Sequence, residues 1–253
     1  MGVVPVIINA DDLGMTPEIN AAVFDLMARG RISSATVMPN GAALEAAIGQ
    51  IADYPACSFG VHLNLTNFEP VSSDPSALAP LLGPDGCFAS NVRQLKLTPA
   101  LREAVFQEWR AQIEKLIDLG LRPSHIDSHH HVHTIPALFG ALKRIQGYFK
   151  IRRVRITKTL YWGQEPRTLM LPVLKTAWNF ALRHWYATST TSQFTSLDEF
   201  HGLVSSGRPA PRGVIELMVH PGSSFFEDET RLLEQPWGDR LGIQLQMLSY
   251  NAI

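Results

Sequence analysis

The feature that constrains this chain most is its opening run, Val3-Val4-Pro5-Val6-Ile7-Ile8-Asn9-Ala10, where apolar residues follow one another without polar alternation. A strand of that kind is buried on both faces, which in globular folds means a parallel sheet covered by helices. The residues that follow keep the rhythm such a sheet demands. Thr16 can cap a helix with Pro17 in its first turn, Ile19, Val23, Leu26 and Met27 form one apolar stripe, and Gly30 ends it. A strand over Ser34 to Met38, a helix over Ala42 to Asp53 and a strand over Ser58 to Leu65 repeat the unit.

Thr66 to Arg93, rich in Pro, Gly, Ser and Asp, breaks the pattern and is too long for an ordinary connection; it reads as a lid or a dimer contact. Thr98-Pro99 then opens the clearest helix, with Leu101, Val105, Trp109, Ile113 and Leu116 on one face and Gly120 as its stop. A strand end at His125 to His129, a helix from Pro136 to Gly147 and a strand over Val154 to Thr157 come next. A helical pattern from Leu169 to Tyr186, a capping box of Ser196 with Glu199, and a strand over Val214 to His220 complete the alternation. About seven βα units with no Gly-rich dinucleotide turn and no internal linker predict an α/β fold. The expected form is a distorted, TIM-like (β/α) barrel of about seven parallel strands, one domain spanning residues 1–253.

Composition excludes several classes. With 45% apolar residues among 253, and 22 Lys+Arg nearly cancelling 23 Asp+Glu, the chain can bury a core and lacks the basic surplus of a nucleic-acid binder. No apolar stretch approaches the roughly 18 residues of a membrane span. The N-terminal run has no basic flank or small-residue cleavage site, and Cys57 and Cys87 have no metal or redox spacing, so a reduced, cytoplasmic setting is expected.

Four polar clusters each follow an apolar strand: Asp11-Asp12, His62, Asp127 to His133, and His220. In a βα barrel such strand ends meet at one mouth, so clusters that mean little singly become a candidate site together. Of two adjacent carboxylates, one can ligate a cation while its neighbour takes a proton from water. Five of the nine histidines lie between His125 and His133. On an extended chain His129, His131 and His133 share one face and His130 takes the other, so one of them could join His62 and Asp12 in a two-His, one-carboxylate site with open positions. The remaining histidines and Asp127 are then outer partners or face substrate. His220, before the turn Pro221-Gly222, could donate a proton to a leaving group.

The stretches Asn9-Ala10-Asp11-Asp12-Leu13-Gly14, Gly60-Val61-His62-Leu63, His125-Ile126-Asp127-Ser128-His129-His130-His131-Val132-His133 and Glu216-Leu217-Met218-Val219-His220-Pro221-Gly222 resemble, in order, the motifs of the YdjC-like carbohydrate deacetylase family. That family includes chito-oligosaccharide deacetylases and deacetylase-like proteins linked to hopanoid biosynthesis. Leu13 stands where Phe is common. The resemblance implies a divalent metal on Asp12, His62 and His129, Asp11 as base, a tendency towards homodimers, and hydrolysis of the N-acetyl group of an amino sugar. His220 would then protonate the departing amine.

Mg²⁺ and Zn²⁺ lead the expected ions, with Mn²⁺, Co²⁺ and Ni²⁺ behind, because two imidazoles and a carboxylate do not choose sharply among them. Phe68, Phe88, Tyr161 and Trp162 are candidate sugar-stacking residues. A metal-dependent phosphoesterase or another amide hydrolase would use similar ligands. Phosphate chemistry would want basic side chains at the mouth, for which Arg152, Arg153 and Arg155 are the nearest source. A non-catalytic metal-binding protein would not need a second, uncoordinated carboxylate beside the ligand carboxylate.

Overall fold

The computed structural model describes residues 3–89, 91–163, 168 and 170–253. In chain order its elements begin β1 (Val3–Leu13), α1 (Pro17–Ala28), β2 (Ser34–Val37), α2 (Leu44–Ile51), β3 (Ser58–Leu63), α3 (Pro99–Asp118), β4 (His125–Ser128) and α4 (Phe139–Phe149). They continue β5 (Arg153–Val154), α5 (Met170–His184), β6 (Gln193–Ser196), α6 (Leu197–Ser205), β7 (Ile215–Val219), α7 (Glu227–Leu233), α8 (Trp237–Arg240) and β8 (Gln244–Met247). The strands pair in parallel in the order β5-β4-β3-β2-β1-β7-β6, and β8 lies beside the start of β1.

The opening run sits at the centre of this sheet, buried from Val6 to Leu13 as its composition requires. One edge of β1 is shared, Val6 to Ala10 pairing with β7 and Val3 to Val6 with β8. The sheet curls until the segments around β5 and β6 meet, where the Val154 N–H donates to the Ser189 carbonyl at 3.2 Å and the Thr159 N–H to the Phe194 carbonyl at 3.0 Å. The product is a curled half-barrel with helices outside it, a single-domain α/β fold close to a TIM barrel.

Local signals act where expected in most elements. Thr16 accepts from the Ile19 N–H at 3.3 Å and Thr98 from the Leu101 N–H at 3.2 Å, so both helices start one residue after their capping side chain. The apolar face of α3, Leu101, Val105, Trp109, Ile113 and Leu116, is buried, each side chain contributing roughly 1.5–3 kcal/mol. Other signals are overridden. Ser196 makes no capping bond, and the Glu199 side chain does not reach back to it but is drawn to Lys158 and accepts from Thr195 at 3.3 Å. The fifth strand ends at Val154 rather than Thr157, since Asn179 of α5 takes the Thr157 N–H at 2.9 Å in place of a strand partner.

The 66–93 segment is packed, among its described residues, against α3. Leu78, Leu81, Phe88 and Val92 join the core, and the buried Glu108 accepts the N–H groups of Val71 at 2.9 Å and Ser72 at 2.8 Å. Leu169, where the long helical pattern is expected to open, lies outside the described residues. Among the described residues no helix is long and apolar enough to cross a membrane.

Candidate active site

At the end of β1 the register against β2 shifts between Ala10 and Leu13, and Asp12 adopts a left-handed backbone with φ 66°. Such a bulge re-aims consecutive side chains, and aspartate tolerates the conformation better than most residues. Both carboxylates therefore reach the mouth, where β3 delivers His62 and the turn after β4 delivers His129. Asp12 Oδ1 lies 2.8 Å from His129 Nδ1 and 3.2 Å from His62 Nε2. It is buried and has no partner in hydrogen-bonding geometry. Donor atoms of the three residues all lie within 4.8 Å of one another. An unpartnered carboxylate oxygen facing two imidazole nitrogens fits a divalent cation, so Asp12, His62 and His129 could hold one.

The other side of His62 is fixed as a ligand's would be. Its Nδ1 meets Asp127 Oδ1 at 2.7 Å, and the Thr36 hydroxyl donates to Asp127 Oδ2 at 2.9 Å. Burial alone would lower the imidazole, but Asp127 and Asp12 outweigh it and push His62 up to about 10. Cation binding through Nε2 would release that proton.

Beneath the mouth lies a residue whose role sequence reasoning missed. Arg155, fully buried, places Nη2 2.6 Å from Asp11 Oδ1 and Nη1 2.7 Å from Asp11 Oδ2. Nη1 also lies 2.8 Å from Asp127 Oδ2, and Nε 2.7 Å from Glu216 Oε1. Burial opposes ionisation of Asp11, yet the Arg155 guanidinium holds its carboxyl well below the usual carboxylate range. Asp11, His62 and Asp127 also converge, but Arg155 already occupies both carboxylates. The available signal was a lone arginine between Val154 and Ile156, both buried: an arginine inside an apolar strand needs an anionic partner.

His220, at the end of β7, stacks on Phe226 with ring centroids 4.3 Å apart. Glu229 accepts its backbone N–H and stands 3.8 Å from Nδ1. Burial disfavours the imidazolium, but Glu229 and Asp11 raise His220 above the ordinary histidine value. Asp11, Asp12, His62, His129 and His220 thus line one cavity of about 630 Å³.

The histidine run departs from an extended chain. The strand stops at Ser128, and His130 and His131 take φ of 49° and 52°, so strand alternation does not assign their faces. His129, His130 and His131 line the cavity, whereas His125 and His133 are buried in structural bonds, to Asn9 Oδ1 at 3.2 Å and to the Ser128 hydroxyl at 2.5 Å. The four aromatic candidates do not reach the cavity: Phe88 is core, and Phe68 lines a separate hollow with Asn40 and Lys115. Phe225, 90% exposed, and Phe226 take that place. No Arg or Lys among the described residues lines the cavity.

Barrel and mouth together define an α/β barrel protein with a carboxylate–imidazole cluster beside a charge-paired aspartate. The chain belongs to the YdjC-like protein family, whose model matches residues 5–240. It is 30% identical over 243 residues to a Brevibacillus brevis protein named carbohydrate deacetylase, covering 96% of this chain and 90% of that one. A carbohydrate deacetylase of Oceanobacillus iheyensis is 36% identical over 153 residues, 60% of this chain and 65% of the relative. An Enterococcus faecalis V583 crystal structure, described as a candidate cellobiose-phosphate cleavage protein, superposes with a TM-score of 0.74 at 22% identity, covering 99% of both chains. That likeness speaks to the fold.

Proposed function

We propose that this protein is a metal-dependent hydrolase that removes the N-acetyl group from an N-acetylated amino sugar. The observation that carries the reading is the unpartnered Asp12 Oδ1 facing His62 and His129, with Asp11 and His220 lining the same cavity. The carbohydrate deacetylase relatives supply the substrate class. A divalent cation on Asp12, His62 and His129 would supply Lewis acidity at the acetamide carbonyl and acidify a water there. Asp11, kept ionised by Arg155, accepts the proton of the attacking water. His220, whose imidazolium Glu229 favours, donates its proton to the departing amine, giving acetate and a free amino sugar. The absence of basic side chains among the described lining residues favours this over phosphate-ester chemistry.

Acetate release from N-acetylated chito-oligosaccharides tests the reading directly. Protein loaded in turn with Zn²⁺, Mg²⁺, Mn²⁺, Co²⁺ or Ni²⁺ is expected to release acetate with at least one ion, and chelated protein none. Release that survives chelation overturns the metal requirement, and no release from any N-acetylated sugar overturns the reaction.

The His220 assignment has its own signature. Glu229 and Asp11 raise its pKa above the ordinary histidine value, so kcat/KM falls on the alkaline side as that proton is lost. Glu229→Gln removes the carboxylate that stabilises the imidazolium, and the alkaline fall should move to lower pH. A limb that stays in place excludes His220 as the acid.

A further inference from the structure

Residues 244–253 lie beyond the stretch that matches the family, and they form the floor of the barrel. β8 runs along the start of β1, and the Leu248 N–H donates to the Val6 carbonyl at 2.8 Å. Tyr250 follows with its backbone N–H on the Ser58 hydroxyl at 2.9 Å and its side chain fully buried. Arg153 Nε holds the Ile253 carbonyl at 2.7 Å. The segment is thus anchored by main-chain and side-chain bonds that do not involve the phenol.

The phenol is engaged elsewhere. Tyr250 Oη donates to Glu216 Oε2 at 2.5 Å, and Glu216 Oε1 accepts from Arg155 Nε at 2.7 Å. The opposite edge of the same guanidinium carries Asp11 through two bonds of 2.7 and 2.6 Å. A second route starts from the ring. Tyr250 stacks on His125 with centroids 3.7 Å apart and an interplanar angle of 10°, and His125 Nε2 lies 3.2 Å from Asn9 Oδ1. Asn9 Nδ2 in turn donates to Asp11 Oδ1 at 3.0 Å. The space a side chain at Gly60 would fill is taken by the His125 ring, with ring atoms 2.6 Å from the ideal Cβ position, so that ring has little freedom.

We propose that Tyr250 is a positioning residue for Asp11, acting from the barrel floor through Glu216 and Arg155 on one side and through His125 and Asn9 on the other. A guanidinium is planar, so fixing Nε on Glu216 fixes where its two terminal nitrogens present Asp11. A base misplaced by a fraction of an ångström loses rate without losing substrate affinity. The inference rests on Asp11 acting as the base in the reaction above, and it assigns a task to a tail outside the family motifs.

Tyr250→Phe deletes the hydroxyl and keeps the stack, so the variant should fold and carry the same metal content. Its kcat is expected to fall about tenfold with KM within twofold of wild type, a split that a merely structural residue would not produce. Tyr250→Leu, which also loses the stack, should fall further. Combining Tyr250→Phe with Glu216→Gln should be no worse than Glu216→Gln alone, because both break one route; losses that multiply overturn the Glu216 route. The Nε–H signal of Arg155 in ¹⁵N-edited NMR should shift and exchange faster in Tyr250→Phe, whatever the substrate. If wild-type protein releases no acetate, the functional reading fails while the Arg155 signal still tests the linkage. Unchanged kcat in an active enzyme, or an unmoved Arg155 signal, overturns the proposal.

Discussion

Asp11→Asn is expected to lose about 10³-fold in acetate release while binding its usual complement of metal. The magnitude is that of a positioned general base, and Asp11 is not one of the three residues, Asp12, His62 and His129, whose donor atoms converge as candidate ligands. An amide also turns an NH₂ towards one guanidinium N–H of Arg155, where the carboxylate accepted two bonds. A stability loss of about 1–3 kcal/mol should accompany the kinetic one. Steady-state kinetics beside metal analysis and thermal denaturation separate the outcomes. Near wild-type turnover removes Asp11 from proton transfer, and lost metal would move it into the ligand set.

Arg155→Met should have the largest effect on stability, about 3–5 kcal/mol, seen as a Tm lowered by about 6–20 °C at neutral pH. One cation is bonded to Asp11, Asp127 and Glu216, and its removal strands three buried carboxyl groups. Arg155→Lys restores the charge but cannot place three nitrogens in one plane, so it should recover only part of the loss. The deficit has a defined pH dependence. Asp11 titrates below its unfolded value because of Arg155, so the stabilisation is complete above about pH 4 and declines as pH falls below it. Wild type and Arg155→Met should therefore converge in acid; a gap constant down to pH 2 would assign the loss to packing.

Much of this was legible in the sequence because parallel sheets write their signals locally. A short apolar run rich in β-branched residues and without polar alternation reads as an interior strand, and in a βα barrel the polar residues at strand ends share one rim. Asp11, Asp12, His62 and His220 followed from that rule. What escaped it depends on contacts distant in sequence. Arg155 lies 144 residues from Asp11, and although its apolar neighbours Val154 and Ile156 hint that it faces inward, they do not say which carboxylate it meets. Tyr250 reaches Ser58 across 192 residues, a contact that no local pattern announces. The histidine run failed differently: two consecutive left-handed residues end the strand early, and residue type alone does not announce that turn.

The turn itself carries a mechanical consequence. His130 and His131 both sit in a backbone region that costs each of them about 1–3 kcal/mol, directly after the candidate ligand His129. They are restrained from outside by Arg93, whose Nη2 donates to the His130 and His131 carbonyls at 3.1 and 2.9 Å, and by Thr66, whose hydroxyl lies 3.0 Å from His130 Nδ1. Arg93 belongs to the end of the long 66–93 segment, itself tethered through Glu108 to the outer helix. The strained turn at the mouth is thus fastened from outside by an exposed arginine. Loosening that segment far from the cavity would let the turn relax and carry the His129 imidazole out of register with Asp12.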